Sequence, residues 1–573
     1  MEIDITEKSQ ELKTFVGQFE TTKFLGEISM LMPLIKFGTT NNALEGLTSP
    51  QRQLMYIAGL NISAKEDKEN IIHHMSDDDL NHIKKLLNEI ESGYSQFFYP
   101  KKEEEISEEW LMKREIAMPT FLSYFNQGLL NYEEQIIERI EKYFTPFDTE
   151  IYEHYNLHIT DFIDIYNFLD KIPNNFLNDN INQKEGQQSW EEFAEEMIGK
   201  GIMPQDWNKY MPKHFKEMFN FVYDKGKMYR YSKDELADKF GEEKTNAFLN
   251  IFTCNRNETE FLYYTEQNPI LFKPIFNIDN NNFQIIELHH LIQAIYNELH
   301  KFCAGSSFNE KFYAHRGKKL EEKIEEIFKR FFKNDLFVYK GFYTQEGNEQ
   351  DLLFITKGLA LIVEAKASKR DEPRREPEKA YPLILSNFDE VIQKGYDQTY
   401  RVKSKFIDNE ILEIYKDQKL SKNIFNLRTK NYHHSFSIIV TLERFGKIQT
   451  DLSDLLEIYE DDEFPWSICI DDLEVFLLQM EKLGKKKSDL INFLSLREKL
   501  HGRLITADEL EVCGAFINGK INYKNVNNDE NIFALTPDLA DIFDNTYHKG
   551  GLGFNNEKNL DIKQSDKYMI FGQ

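Results

Sequence analysis

One short stretch, Asp351–Lys366 (DLLFITKGLALIVEAK), constrains this chain more than any other. Two apolar, β-prone runs flank Lys357–Gly358, and a two-residue connection ending in glycine is a strong β-hairpin signal. Leu359–Val363 has no polar side chain, the pattern of a strand buried on both faces.

The pairing register follows from the turn. With Lys357 and Gly358 as the loop, Thr356 faces Leu359, and counting outward brings Asp351 opposite Glu364. Directly opposed residues share a sheet face, with Cβ atoms about 4.5–5.5 Å apart. Lys366, two residues past Glu364, points to that same face, and Ala365 to the other. Two carboxylates and an ammonium therefore meet at one end of an apolar hairpin. Carboxylates side by side in a core repel, so one tends to stay protonated. A divalent cation removes the conflict. Mg²⁺ takes oxygen ligands and typically uses one or two carboxylates plus substrate phosphates. It polarises a phosphoryl oxygen and makes hydroxide available near neutral pH. A neighbouring lysine can position that water or stabilise the added charge. The plain alternative is a surface hairpin end with a cross-strand ion pair.

The flanking segments bear on this choice. Residues 313–333 predict an amphipathic helix with Leu320, Ile324, Ile327, Phe328 and Phe331 on one stripe. Glu321 lies beside that stripe and can face the sheet edge, although Glu325 competes for the role. Residues 387–405 predict a second helix, with Ser386 or Asn387 as N-cap and Glu390 near N3. Gln398 falls on its buried stripe and needs hydrogen-bond partners; it is either a site residue or a satisfied core glutamine. Gly395, one turn earlier, permits close approach to the sheet. Between hairpin and helix, Lys369, Arg370, Arg374, Arg375 and Lys379 form the densest basic stretch of the chain. Phosphate contacts are one reading; a solvated loop, diluted by Asp371, Glu372, Glu376 and Glu378, is the other.

At these residues the sequence resembles the PD-(D/E)XK nuclease superfamily, the restriction-endonuclease-like fold. The matching elements are the helix with Gly317 and Glu321, then Asp351, then Glu364-Ala365-Lys366, then the helix with Gln398. Ser437–Thr441 and Trp466–Ile470 would extend the sheet. The match spans about 305–475. Gln350 stands where many members have proline. The resemblance implies an α/β fold, a mixed sheet flanked by helices. It implies Asp351, Glu364 and the Ala365 carbonyl as ligands of Mg²⁺, or of Mn²⁺ in its place. It implies Lys366 as the water-orienting group, with Glu321 and Gln398 accessory, and phosphodiester hydrolysis as the reaction. By analogy, a large helical extension on such a core looks like bacterial restriction or antiphage-defence nucleases. DNA is the expected substrate, with RNA cleavage as an alternative. A second copy of the chain or a defence-system protein is the expected partner. A nuclease-like fold kept only as a binding scaffold is the competing reading; intact Asp351, Glu364 and Lys366 argue against it.

Bulk properties narrow the rest. A chain of 573 residues suggests two to four domains. Residues 1–304 read as mostly helical, split near the polar stretch 174–189, with a strand–turn–strand over 270–287. A small-residue break at Ala304–Ser307 marks a boundary, the nuclease-like segment runs over 305–480, and 481–573 reads as a helical extension. The net charge of -27 argues against a large non-specific nucleic-acid surface. It leaves room for a local basic groove, because exposed charges are screened beyond about 8–10 Å. The four cysteines are scattered, without a CxxC pair, which fits reduced structural thiols and not zinc. The histidine pairs 73–74, 289–290 and 433–434 point their rings in different directions and make poor ligand sets. Asp471, Asp472 and Glu474 read as acids at a helix start. With no signal-peptide pattern and no apolar run of about 18 residues, the expected location is cytoplasmic, away from membranes.

Overall fold

The computed structural model describes residues 3–36, 44–66, 71–100, 106–126, 131–178, 188–333, 335–368, 374–528 and 531–557. Lys369 and Arg370, and part of the polar stretch 174–189, lie outside the described residues. Among the described residues no helix is long and apolar enough to cross a membrane. The chain is mixed α/β and forms two compact units, residues 1–94 with 126–307 and residues 95–125 with 308–573. The segment 95–125 is a difference from the sequence reading, which left it in the N-terminal half. Its ties are to distant residues: Lys113 lies 3.4 Å from Glu378, and Arg375 stacks over the Phe97 ring. No local pattern exposes such contacts.

The first unit is helical apart from a four-stranded sheet. Its central pair, Ile275–Asn277 with Asn282–Ile285, is the expected strand–turn–strand. The N-terminal residues form two helices, Ile5–Val16 and Thr21–Lys36, and not one. The break has a cause. The side chains of Asn61 and Arg256 donate to the carbonyls of Val16, Gly17 and Phe19, oxygens that a continuous helix would use itself.

The second unit opens with helix α1 (Asn309–Phe331). Strands β1 (Phe337–Tyr343), β2 (Glu349–Thr356) and β3 (Leu359–Lys366) follow. Helices α2 (Pro377–Phe388) and α3 (Lys394–Ile407) come next. Strands β4 (Ile411–Tyr415), β5 (Asn423–Arg428), β6 (His434–Thr441) and β7 (Trp466–Cys469) complete the sheet. Helices α4 (Ile470–Lys482), α5 (Lys487–Arg497) and α6 (Glu509–Ile517) follow. The strand order is β7-β6-β3-β2-β1-β4-β5. β3, β6 and β7 run parallel, and the remaining pairs are antiparallel. On one face Leu353, Ile355, Ala360 and Ile362 pack with Val402 and Phe406 of α3. On the other, Phe354 meets Phe328 of α1 at 4.9 Å between ring centroids. Both faces are covered, which is why β3 tolerates no polar residue before Glu364.

Two helical expectations change. The helix read over 387–405 has no start at Ser386 or Asn387, and Glu390 caps nothing. α2 already begins at Pro377, where a missing N–H costs nothing. A π-helical turn, Asp389–Gln393, then carries the chain into α3. The segment after 480 is part of the second unit. Arg497 of α5, 1% exposed by side chain, makes a two-pronged bond to Glu509 of α6 at 2.9 Å on each arm. Glu509 also accepts from Trp466 Nε1 of β7 at 2.8 Å. Within the expected helical extension, the chain also forms the short helix Tyr523–Val526 and the strand Phe533–Ala534.

Gly358 sits in the hairpin turn at φ +76°, the left-handed region. A side chain there costs about 1–2 kcal/mol. Gly358→Ala should therefore lower the urea midpoint of the second unit with an unchanged m-value. An unchanged midpoint would show that the turn conformation carries no such cost.

Candidate active site

The hairpin register is the expected one. The pairs run from Thr356↔Leu359 to Leu352↔Val363, and the next step brings Asp351 opposite Glu364. At that step the backbone ladder between β2 and β3 gives way to side chains. The Asp351 N–H donates to Glu364 Oε1 at 3.3 Å, and the Ala365 N–H donates to Asp351 Oδ2 at 2.8 Å. The two carboxyl groups thus lie between the strand ends. By strand alternation Asp351, Glu364 and Lys366 share the face that α3 covers.

This is not the end of a surface hairpin. Glu364 is 1% exposed, and Asp351 and Lys366 are partly buried. Lys366 Nζ lies 3.8 Å from Glu364 Oε2, too far for a hydrogen bond, and donates instead to Gln398 Oε1 of α3. Glu364 Oε2 is left buried without a hydrogen-bond partner. Burial first, and the charge of Asp351 second, push the Glu364 carboxyl well above its ordinary value; Lys366 pulls the other way. α3 reaches this close because residue 395 is glycine. A Cβ there would stand 3.1 Å from Ile439 Cγ2 and 3.2 Å from Lys366 Cε.

Helix α1 adds a third acid. Glu321 is pushed up to about 7, by burial and then by the charges of Asp351, Glu349 and Glu322. The competitor Glu325 is committed elsewhere, paired with Lys329 at 2.6 Å and Lys340 at 3.0 Å. Gly317 has open space around its Cα, so no steric need explains it. Among the described residues no three His, Cys, Asp or Glu side chains come together as a metal-holding group. Glu321 therefore does not complete a three-carboxylate set. A donor set of two carboxylates and the Ala365 carbonyl still suits Mg²⁺, which keeps several waters and binds substrate phosphates. The orphaned Glu364 oxygen fits such a cation, because a buried polar atom otherwise needs a partner.

The basic stretch is only partly drawn in. Arg374 is exposed, whereas Arg375 is half-buried over the Phe97 ring, 5.3 Å from its centroid. One neighbour of the site escaped the sequence reading. Arg316 of α1 is 5% exposed and donates to the carbonyl of Ala367, the residue after Lys366. An arginine four residues before Leu320, on the apolar stripe of the helix, was the available signal. Asp471, Asp472 and Glu474 do open a helix but are buried and paired, Asp472 with Arg444 and Glu474 with Lys323. All four cysteines are free and buried. The chain matches no known protein family, no curated protein and no solved structure.

The raised Glu364 pKa makes a prediction for metal-free protein. A carboxyl whose folded value lies above its unfolded value favours folding below the unfolded value, about 4.3. That contribution is lost as pH rises through the folded value. Glu364→Gln fixes the neutral form. In EDTA, the stability of the variant minus that of the parent should grow as pH rises from 4.5 to 8. A flat difference would show that the carboxyl is not held protonated.

Proposed function

We propose that the chain is a divalent-cation-dependent nuclease of the restriction-endonuclease-like type, hydrolysing phosphodiester bonds, with DNA as the first substrate to test. The observation that carries this reading is the pairing of buried Glu364 with Asp351 beside a lysine anchored by Gln398. The order of elements also supports it: α1, the β1–β3 meander, α3, then the parallel strand β6 beside β3.

Asp351, Glu364 and the Ala365 carbonyl would hold Mg²⁺ or Mn²⁺, which when bound polarises phosphoryl oxygen and acidifies water. Asp351 and Glu364 would supply the negative charge for that cation, and Glu364 Oε2 has no hydrogen-bond partner in the protein. Lys366, held by Gln398, keeps its ammonium at the strand end, where it orients water and stabilises charge growing on the phosphate. Gln398 acts through Lys366 and is a positioning residue. Glu321, titrating near neutrality, is suited to hold or release a proton. Gly395 keeps α3 and the lysine stem at contact distance.

Supercoiled plasmid and a structured RNA, each incubated with Mg²⁺, test the reading. The parent should cut at least one of them and stop in EDTA. Glu364→Ala and Lys366→Ala should lower the rate by about 100-fold or more. Equal cutting by all three proteins would remove the site from the chemistry, and no cutting of either substrate by the parent would leave the scaffold reading in its place. Gly395→Ala forces the lysine stem aside; misplacement of that kind costs up to about 100-fold. It should lower kcat while leaving the melting temperature within a few degrees.

A further inference from the structure

The sheet end that carries Asp351 and Glu364 also carries the β4–β5 turn. Tyr415, the last residue of β4, pairs with Tyr343, the last of β1, which pairs with Glu349, two residues before Asp351. The neighbouring β1–β2 turn touches it, since a Cβ on Gly347 would lie 3.5 Å from the Gln418 carbonyl oxygen. The turn reads Lys416-Asp-Gln-Lys419-Leu-Ser-Lys422, and all three lysines are exposed. Its shape is fixed from within. The Lys416 N–H donates to the Lys422 carbonyl and the Leu420 N–H to the Asp417 carbonyl, both at 3.0 Å. Leu420 takes φ +54°, and the Asp417 carboxylate accepts from the Ser421 N–H and hydroxyl.

The acids near the turn are held by other groups. Asp417 accepts from Ser421, and the charge of Lys419 also favours its ionised form. Glu346 and Glu410 are bridged by Lys405 at 3.3 and 3.0 Å, and Glu413 accepts from the Tyr415 hydroxyl. Among the described residues no ion pair involves Lys416, Lys419 or Lys422. Three exposed lysines thus stand together on an ordered turn at the site end of the sheet. On β5 the turn continues into exposed Ile424 and Phe425, 48% and 46% exposed.

We infer that this turn is a contact for the phosphate backbone of the nucleic acid that enters the site, an inference that rests on the nuclease reading. Strands in a sheet stand about 4.8 Å apart, so three steps from β2 to β5 put the turn roughly 14 Å from the acids. At about 3.4 Å per base-pair step, that is four steps from the phosphate under attack. The distance exceeds the 8–10 Å screening length at physiological salt. The lysines therefore act on substrate binding by their own contacts and not on the chemistry at Asp351 and Glu364. Phosphates of DNA and RNA carry the same charge, so the turn reads backbone and not base.

The test compares two double variants of the full chain. Lys419→Gln with Lys422→Gln removes charge at the site end, and Arg428→Gln with Lys430→Gln removes the same charge where β5 runs to the far end. Binding of fluorescent duplex DNA and of duplex RNA is titrated in EDTA across a salt series. The site-end pair should bind more than about tenfold weaker near 0.1 M salt. Its slope of log K against log salt should fall by roughly 2, at ~0.9 per lost contact. The far-end pair should match the parent, and both pairs should keep the parent's melting temperature. In cleavage the site-end pair should raise KM and leave kcat unchanged. Equal binding by parent and site-end pair, equal losses at both ends, or no binding of either duplex by the parent overturns the inference. A site-end loss of binding in a protein that cuts nothing leaves this inference standing and sinks the nuclease reading. Cutting that ignores the turn does the reverse.

Discussion

Two carboxyl groups are pressed together at the end of a strand whose body is buried on both faces. Glu364 is buried, Asp351 stands opposite, and the protein supplies Glu364 Oε2 with no hydrogen bond. Like charges in such a place raise the cost of ionisation, and a protein selected for stability alone would have an apolar residue there. Every neighbouring feature responds to this arrangement. Lys366 opposes the charge without neutralising it by direct contact, because Gln398 holds its ammonium. The Ala365 N–H is spent on Asp351, which fixes that carboxylate between the strands.

The scaffold keeps those groups from relaxing. β3 is fenced by β2 and β6, with α1 and α3 on its two faces. Gly395 lets α3 lie against Ile439 and the Lys366 stem, and any larger residue would push one of them away. Beyond β6, β7 is tied through Trp466 and Glu509 to the buried Arg497. The C-terminal helices thus brace the far side of the sheet and are not a loose appendage. The cost of bringing two carboxyl groups together at a buried position is offset by a large, well-paired surround.

Much of this could be read along the chain because it depends on period and turn. Alternation along 351–366 set the face of each acid, and the glycine after Lys357 set the register. Spacing alone could not choose between Glu321 and Glu325. Lys329 and Lys340 decide it, and Lys340 lies on a strand. Arg316 was missed because its partner, the Ala367 carbonyl, is a backbone group with no sequence signature. The start of α2 was misplaced because a capping pattern at Ser386 competes with Pro377, and nothing local says that the helix has already begun. The segment 95–125 belongs with residues more than two hundred positions away, a contact that no window of sequence contains.

The sequence by itself determined which residues oppose one another, because a two-residue turn and a period of two leave a single register. It could not determine how deep the acids lie, what holds the lysine, or which basic groups share their end of the sheet. Those depend on helices and strands that approach from distant parts of the chain, and only their packing decides whether opposed carboxylates meet water or each other.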